Sequence, residues 1–231
     1  MSPMKILAIG DPHLGNPEKM VHRFHYPPNY FEQLRHNFEL ETPPADLLLI
    51  AGDLVWGTDF TEAVDQLETL QTLKAKNISF IEGNHDWWLP KYSTMYAFFN
   101  SPAFFFLSGR ALILENIGIC GIRGTEKEAS TKARELRLLE NALTELSKAA
   151  INLAICVIHF PPTSLIFQNP DESFAEDNYF SLMEEFGVNK IVYGHCHANQ
   201  NYRIKPYLKI DNIELYCTSL DYFNWSPVRI L

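Results

Sequence analysis

Five short apolar runs, each ending abruptly at an Asp, Asn or His residue, constrain the fold of this chain more than any other feature. The runs cover residues 5–10, 47–51, 78–81, 153–158 and 190–193. A continuous apolar run of this length is typical of a strand that is covered on both faces, as in a parallel sheet. The sequence therefore predicts an α/β fold built on a buried, mostly parallel sheet.

Helical patterns alternate with the first three of these runs. Apolar residues recur at helical spacing over residues 29–42 and again from Thr58 to residue 77. Residues 91–100, 125–150 and 179–186 are also predicted to be helical. Open α/β sheets place their functional residues at the carboxyl ends of the strands, so we expect the functional site at that edge.

Short separations between several later strands predict hairpins. Strands are predicted at residues 104–107, 111–115 and 117–122, and again at 207–210 and 213–217. Neighbouring strands in each of these groups are close enough along the chain to pair in antiparallel fashion. The sheet structure is therefore expected to be mixed.

Residues 15–28 follow neither a helical nor a strand period. The segment contains His22, His25 and several aromatic residues, and it ends in two prolines. We predict a long loop here and leave open whether it covers the functional site.

Composition and charge limit the class of protein. The formal net charge is −9 and the pI is near 5.3, without any cluster of Lys and Arg, so long nucleic acids are not expected as partners. The 4 cysteines form no Cys-x-x-Cys pair, which favours a reducing compartment. We find no leader-like segment and no apolar stretch of ~18 residues, and we expect a cytoplasmic protein without membrane insertion. Because no interdomain linker is visible, residues 1–231 are predicted to form a single domain.

The polar residues at the strand ends are of the types that bind metal ions. They are Asp11, His13, Asp53, Asn84, His159, His195 and His197. Seven such residues suggest two metal ions, and Asp, Asn and His without cysteine suit divalent Mn, Fe, Co, Ni or Zn. Asp53 has no partner in its own motif, so it is our candidate for a carboxylate that bridges the two ions. Two metals ~3.5–4 Å apart can share a hydroxide nucleophile for in-line attack at phosphorus.

The order of these motifs resembles that of the calcineurin-like metallophosphoesterase family. The similar blocks are Asp11-x-His13, Gly52-Asp53, Gly83-Asn84-His85-Asp86, His159 and Gly194-His195-Cys196-His197. The resemblance implies two packed mixed β-sheets flanked by helices, in a four-layer αββα sandwich. It also implies a cofactor of two divalent metal ions, with manganese the first expectation.

The resemblance further implies a role for each matching residue. Asp11, His13 and His197 would bind one metal, Asn84, His159 and His195 the other, and Asp53 would bridge them. His85 would protonate the leaving alkoxide or stabilise the transferring phosphoryl group. Asp86 would hold the imidazole of His85 and raise its basicity.

Four further residues lie in or near these motifs, and we predict where each side chain lies relative to the site. Arg123 lies between two glycines after a strand; it either binds a phosphate oxygen or is an exposed turn residue. Trp87 and Trp88 follow the predicted catalytic turn and are expected to border the site. Cys196 lies between two candidate ligands and should point away from them into the core.

The resulting hypothesis is a metal-dependent hydrolase of small, soluble phosphate mono- or diesters. No Ser, Cys or Asp nucleophile is left once the ligands are assigned, which favours direct attack by hydroxide. One alternative is a catalytically silent binding module on the same fold. A hydrolase of the metallo-β-lactamase type is disfavoured, because its His-x-His-x-Asp-His cluster is absent and Ala198 follows His197. The oligomeric state stays open.

Overall fold

The computed structural model describes residues 3–101, 103–124, 129–169, 177–200 and 203–231. Its strands are β1 (Ile6–Ile9), β2 (Leu47–Ala51), β3 (Ile78–Ile81), β4 (Asn100–Ser101), β5 (Phe104–Phe106), β6 (Ala111–Leu114), β7 (Ile117–Ile122), β8 (Leu153–Ile158), β9 (Lys190–Tyr193), β10 (Tyr207–Ile210), β11 (Ile213–Cys217) and β12 (Val228–Arg229). Its α-helices are α1 (Pro17–Phe24), α2 (Tyr30–Leu40), α3 (Phe60–Leu70), α4 (Tyr92–Phe98), α5 (Ala129–Ser147) and α6 (Asp177–Glu185).

The strands form two six-stranded sheets. The first has the order β12-β1-β2-β3-β5-β4 and the second the order β10-β11-β9-β8-β7-β6. In each sheet the four inner strands are parallel, and the two edge strands pair antiparallel to them. The prediction of two packed mixed sheets flanked by helices is therefore confirmed.

Strand β1 shows why its run of apolar residues is continuous. Ile6 and Ala8 point into the apolar layer between the sheets, together with Val157 of β8. Leu7 and Ile9 point the other way, into the layer beneath the helices α1 to α4. Both faces of the strand are thus covered, as the apolar run predicted. The helices α5 and α6 cover the outer face of the second sheet in the same way.

The prediction of a loop over residues 15–28 is wrong, because the segment contains the helix α1. The side chain of Asn16 accepts hydrogen bonds from the amides of Glu18 (2.9 Å) and Lys19 (3.3 Å), and Pro17 occupies the first helical position. The helix ends at His25, which has a φ of 56°. Only 8 residues are helical, too few for the apolar period to stand out among the surrounding aromatic residues. The Asn-Pro start was the signal that pattern analysis missed.

The predicted hairpin between residues 104–107 and 111–115 is also wrong. β5 pairs with β3 and β4, whereas β6 pairs with β7 in the other sheet. The chain therefore crosses from the first sheet to the second between these strands. A short connection is compatible with either outcome, and local sequence does not say which sheet a strand joins. The other predicted hairpins, β6–β7 and β10–β11, are present.

Helix bounds differ slightly from the prediction. The helix α3 is capped by Asp59, whose carboxylate accepts from the amide of Glu62 (3.0 Å), and not by Thr58. It ends at Leu70, several residues before the predicted end. Of the predicted helix at residues 125–150, positions 125–128 lie outside the described residues. Across the part of the chain that the structure describes, no helix combines the length and apolar character needed to cross a membrane.

Candidate metal centre and active site

The predicted ligands lie in turns that directly follow the parallel strands β1, β2, β3, β8 and β9. Four of these residues have left-handed backbone conformations: Asp11 (φ 57°), His13 (φ 41°), Asp53 (φ 52°) and His195 (φ 67°). Such conformations are uncommon outside glycine and concentrate at functional sites. The strands thus deliver their polar side chains through sharp turns at one edge of the sandwich.

Glycines allow these turns to pack against each other. A Cβ atom on Gly83 would lie 2.1 Å from Oδ1 of Asp53 and 2.3 Å from its backbone nitrogen. Gly52 has a φ of +85°, and a Cβ atom there would lie 2.6 Å from Nδ1 of His159. Side chains at these two positions would therefore displace ligand atoms or their backbone.

A first group of ligand atoms surrounds His13. Its Nε2 lies 3.5 Å from Nε2 of His197 and 3.6 Å from Oδ2 of Asp53. Ligand atoms of Asp11, His13 and His197 all lie within 4.8 Å of one another. These three side chains are buried.

A second group surrounds the amide oxygen of Asn84. This Oδ1 lies 2.8 Å from Nε2 of His159 and 2.9 Å from Nδ1 of His195. The two ring nitrogens are 3.3 Å apart. Oδ1 of Asp53 lies 3.6 Å from the same Nε2 of His159. Asp53 therefore directs one carboxylate oxygen towards each group.

The donor set of these two groups fits two divalent cations. Nδ1 of His159 lies 2.9 Å from the carbonyl oxygen of Ala51, which fixes the proton on Nδ1 and leaves Nε2 as a lone-pair donor. Oδ2 of Asp53 is buried and has no hydrogen-bond partner within the described residues. A buried carboxylate oxygen without a partner is costly unless a cation neutralises it, and converging imidazole nitrogens can bind the same cation.

The pKa values of the buried ligands agree with this interpretation. Burial raises the pKa of Asp11 to about 6 and that of Asp53 well above its ordinary range. Burial also lowers the pKa values of His13 and His159 well below that of a free imidazole. Nearby cations favour ionised carboxylates and neutral imidazoles. Bound metal ions would therefore stabilise the ionised form of the two aspartates, and they would suit imidazoles that burial keeps neutral.

Three residues outside the predicted motifs support the ligands. The hydroxyl of Tyr26 donates to the backbone oxygen of Asp11 (2.9 Å) and lies 3.3 Å from Nδ1 of His197. The hydroxyl of Ser219 donates to Oδ2 of Asp11 (2.6 Å), and Oδ2 of Asp221 lies 3.4 Å from Nδ1 of His197. Sequence analysis missed all three. Tyr26 lies in the segment that was predicted to be a loop, and Ser219 and Asp221 belong to no motif.

His85 and Asp86 do not interact as predicted. Oδ1 of Asp86 accepts from the amides of Leu54 (2.9 Å) and Val55 (3.1 Å), and also from the indole of Trp88 (2.9 Å). Its Oδ2 accepts a hydrogen bond from the amide of Gly83 (2.7 Å), in the turn after β3. Nδ1 of His85 has no hydrogen-bond partner among the described residues. The expectation that Asp86 holds the imidazole is therefore wrong, because its oxygens are used to hold backbone.

His85 lies between the ligand groups and an aromatic surface. Its backbone amide donates to Oδ1 of Asp53 (2.8 Å), and its imidazole packs against the ring of Trp56, 4.8 Å between centroids. Burial and the positive charges of Arg23 and His197 lower the pKa of His85 to about 4. The residue as a whole is half-buried, and its Nδ1 atom is buried.

The remaining predicted residues have different environments. The backbone oxygen of Arg123 accepts from the amide of His159 (3.1 Å), and its Nε atom is buried without a hydrogen-bond partner within the described ranges. Trp87 is 61% exposed beside His85, whereas Trp88 is buried against Asp86. Cys196 is buried in the apolar layer of the second sheet, as predicted.

Two packed mixed sheets that place buried and half-buried His, Asp and Asn side chains at one edge define a metal-binding α/β sandwich. The chain belongs to the calcineurin-like phosphoesterase family, which it matches over residues 4–199. This membership indicates a metal-dependent phosphoesterase. No curated protein matches the chain in sequence.

Two solved structures illustrate the similarity of the fold to known proteins. The fold is similar to that of TT1561 from Thermus thermophilus, with a TM-score of 0.60 and 12% identity, over 94% of this chain and 90% of that one. It is also similar to AQ665, a protein of unknown function from Aquifex aeolicus, with a TM-score of 0.50 and 13% identity, over 98% and 96% of the two chains. At these identities the likeness concerns the fold alone.

Proposed function

We propose that this protein hydrolyses small phosphate mono- or diesters with the help of two divalent metal ions. The observation that carries the proposal is the position of Asp53, whose two carboxylate oxygens lie 3.6 Å from imidazole nitrogens of different ligand groups. A carboxylate in that position suits a bridge between two cations.

The proposed ligands follow from the two groups of atoms. Asp11, His13 and His197 would hold one ion, Asn84, His159 and His195 the other, and Asp53 both. The set contains nitrogen and oxygen donors without sulfur, for which Mn is our first choice, with Fe, Zn, Co or Ni as the other candidates. When bound, a metal pair supplies an activated water and neutralises negative charge on the phosphoryl group.

The chain's own residues would orient the ligands and move a proton. The Ala51 carbonyl and the Asp221 carboxylate lie at Nδ1 of His159 and of His197, and this leaves Nε2 of each ring directed inwards. His85 would donate a proton to the leaving oxygen or stabilise the phosphoryl group. A phosphate ester brings negative charge to the imidazole, and this favours its protonated form.

Arg123 is the proposed substrate-binding residue. It follows β7, next to the turn that contains His159, and its positive charge is among the groups that oppose the rise in the pKa of Asp53 caused by burial. A guanidinium near the candidate ligands can bind two phosphate oxygens at once.

We also propose that residues 1–231 are a single metallophosphoesterase domain of the cytoplasm. The apolar layer shared by the two sheets supports a single folding unit. The cysteines Cys120, Cys156, Cys196 and Cys217 are free thiols, as in proteins of a reducing compartment. The net charge of −9 disfavours long nucleic acids as substrates.

The proposal is tested by hydrolysis of a generic phosphomonoester and a generic phosphodiester. Metal-stripped protein is assayed before and after addition of Mn, beside the variants His85→Ala and Asp53→Asn. The matched controls are His36→Ala and Asp65→Asn, which change exposed residues on α2 and α3. Mn should restore turnover in the wild type and the controls, and the two site variants should lose at least ~100-fold.

The ratio of monoester to diester turnover then defines the substrate class. A wild type that stays inactive with each of the five candidate metals, while it still binds about two ions, would contradict hydrolysis. The catalytically silent binding module would then be the better description.

A further inference from the structure

We propose that Trp87 and Trp56 form a subsite for a flat aromatic group on the leaving alcohol, as in a nucleoside 5′-phosphate. The inference rests on the proposed function, in which His85 stands beside the leaving oxygen. It adds to that function the class of substrate that the site prefers.

The position of the two indoles relative to His85 carries the proposal. The His85 imidazole lies 4.8 Å from the ring of Trp56 and 5.3 Å from that of Trp87, measured between centroids. The two indoles meet at 63° with centroids 5.1 Å apart, so they form a corner. A group bonded to an oxygen that His85 protonates would lie next to this corner.

Trp87 is the most exposed of the 4 tryptophans in the chain. Trp87 is 61% exposed, whereas Trp88 and Trp225 are 3% and 6% exposed and pack in the core. Aromatic side chains are enriched where ligands bind, and an exposed indole can stack on a ligand. Because the exposed ring of Trp87 lies directly beside the candidate catalytic residue His85, it can contact a ligand bound there.

Two of the ligand imidazoles are covered by the protein's own rings. Phe24 stacks on His13 at 4.2 Å and is only 8% exposed. Phe160 covers His195 at 4.4 Å between centroids. Trp87 is the large exposed apolar residue that the structure, over its described ranges, places against His85. A ligand's aromatic group therefore finds its free surface there.

Arg23 adds positive charge to the same corner. Its guanidinium carbon lies 5.4 Å from the ring of Trp56, and its side chain is exposed at the end of α1. This charge favours a ligand that carries both an aromatic ring and an anionic phosphate over a neutral aromatic compound. The free face of Trp87 is left for stacking.

Stacking on an indole favours ligands that carry an aromatic ring over ligands that do not. It depends little on which aromatic ring the ligand carries. Removal of an aromatic partner typically lowers binding of a base by roughly 5- to 150-fold. Adenosine 5′-monophosphate and ribose 5-phosphate both carry the phosphate on the 5′ oxygen of a ribose, and only the first carries a base. The ratio of their affinities therefore measures the subsite separately from the chemistry of the phosphate.

The test measures both affinities for the Mn-loaded protein. They are obtained as inhibition constants against whichever generic phosphoester the protein hydrolyses, or by calorimetry if it hydrolyses neither. In the wild type, adenosine 5′-monophosphate should bind at least ~10-fold more tightly than ribose 5-phosphate. The ratio should fall towards one in Trp87→Leu and stay largely intact in Trp87→Phe. Phe98→Leu, at another exposed aromatic residue, is the control and should keep the wild-type ratio.

Failure of the subsite and failure of the proposed function give different results. Equal affinities in the wild type, or no detectable binding of either compound, would overturn the subsite even if the protein hydrolyses generic esters. A ratio that survives Trp87→Leu would overturn it as well. A protein that discriminates through Trp87 but hydrolyses nothing retains the subsite and loses the proposed activity.

Discussion

Asp86 accepts a hydrogen bond from the backbone amide of Leu54 at 2.9 Å, and this bond joins the turn after β3 to the turn after β2. The same carboxylate also accepts from the amide of Gly83 (2.7 Å) and the indole of Trp88 (2.9 Å). Asp86 therefore acts on the candidate centre through the backbone that carries Asp53 and Asn84, and not through the imidazole of His85.

The first prediction concerns this carboxylate. Asp86→Ala should destabilise the protein by about 3 kcal/mol, because buried N–H groups lose their acceptor, and Asp86→Asn should cost less because one acceptor oxygen remains. Urea unfolding of both variants measures the free energies, with Asp65→Asn as an exposed control. Unchanged stability together with a shifted pH profile of turnover would instead indicate that Asp86 acts on an imidazole.

The second prediction concerns the contact between two turns. Gly83→Ala should abolish metal binding, because the new methyl group would lie 2.1 Å from Oδ1 of Asp53 and 2.3 Å from its backbone nitrogen. Gly57→Ala is the matched control, since its nearest neighbour would be 3.4 Å away, at an ordinary contact distance. Metal content after dialysis against Mn compares the two proteins. A Gly83→Ala protein that retains the wild-type metal content would disprove the close packing of these turns.

The third prediction concerns Asp221, which sequence analysis did not find. Asp221→Asn should weaken metal binding by roughly 10- to 100-fold, because the carboxylate 3.4 Å from Nδ1 of His197 orients the ring and increases its basicity. Calorimetric titration with Mn measures the change. Asp211→Asn, in the turn of the hairpin β10–β11, is the control and should bind as the wild type does. Equal affinity in both variants would remove Asp221 from the centre's support.

The fourth prediction concerns the pH dependence of stability. Glu135 of α5 is fully buried, and burial, with the negative charge of Glu82, raises its pKa from 4.5 to about 7 against the opposing charges of Arg123 and Arg134. The native state therefore holds this proton at pH values where the unfolded state releases it. Glu135 consequently costs stability as pH rises from about 4.5 to about 7, by on the order of 3 kcal/mol in total.

Replacement of this residue isolates the effect. Glu135→Gln should gain stability over the wild type at pH 8 by more than it does at pH 5, as measured by urea unfolding at both pH values. Glu140→Gln, an exposed position on the same helix, should show no such difference. If the gain from Glu135→Gln is equal at the two pH values, the carboxyl does not titrate in this range.

Local signals were enough to predict the strands and the residues at their ends. Each apolar run is covered on both faces and stops at a polar residue, and these two properties are visible within a few positions of the sequence. Helix α1 was not predicted, because its 8 residues are too few to show a helical period of apolar residues among the neighbouring prolines and aromatic side chains. Its Asn16-Pro17 start was a local signal that we did not use.

Pairings over long distances could not be predicted in the same way. The assignment of β5 to the first sheet and β6 to the second depends on contacts with β3 and β7, not on the loop between them. The partners of Asp86 were wrongly predicted because its nearest neighbour in sequence was taken as its nearest neighbour in space. The approach of Asp221 to His197 likewise requires the fold.

The division of the candidate ligands between the two sheets limits when the centre can form during synthesis. β1, β2 and β3 carry Asp11, His13, Asp53 and Asn84, whereas β8 and β9 are followed by His159, His195 and His197. Both ligand groups include a residue from the turn after β9. A nascent chain from which only β1 to β5 have emerged therefore has neither group complete. The proposed cation pair could be loaded only after β8 and β9 have been translated and have docked on these strands.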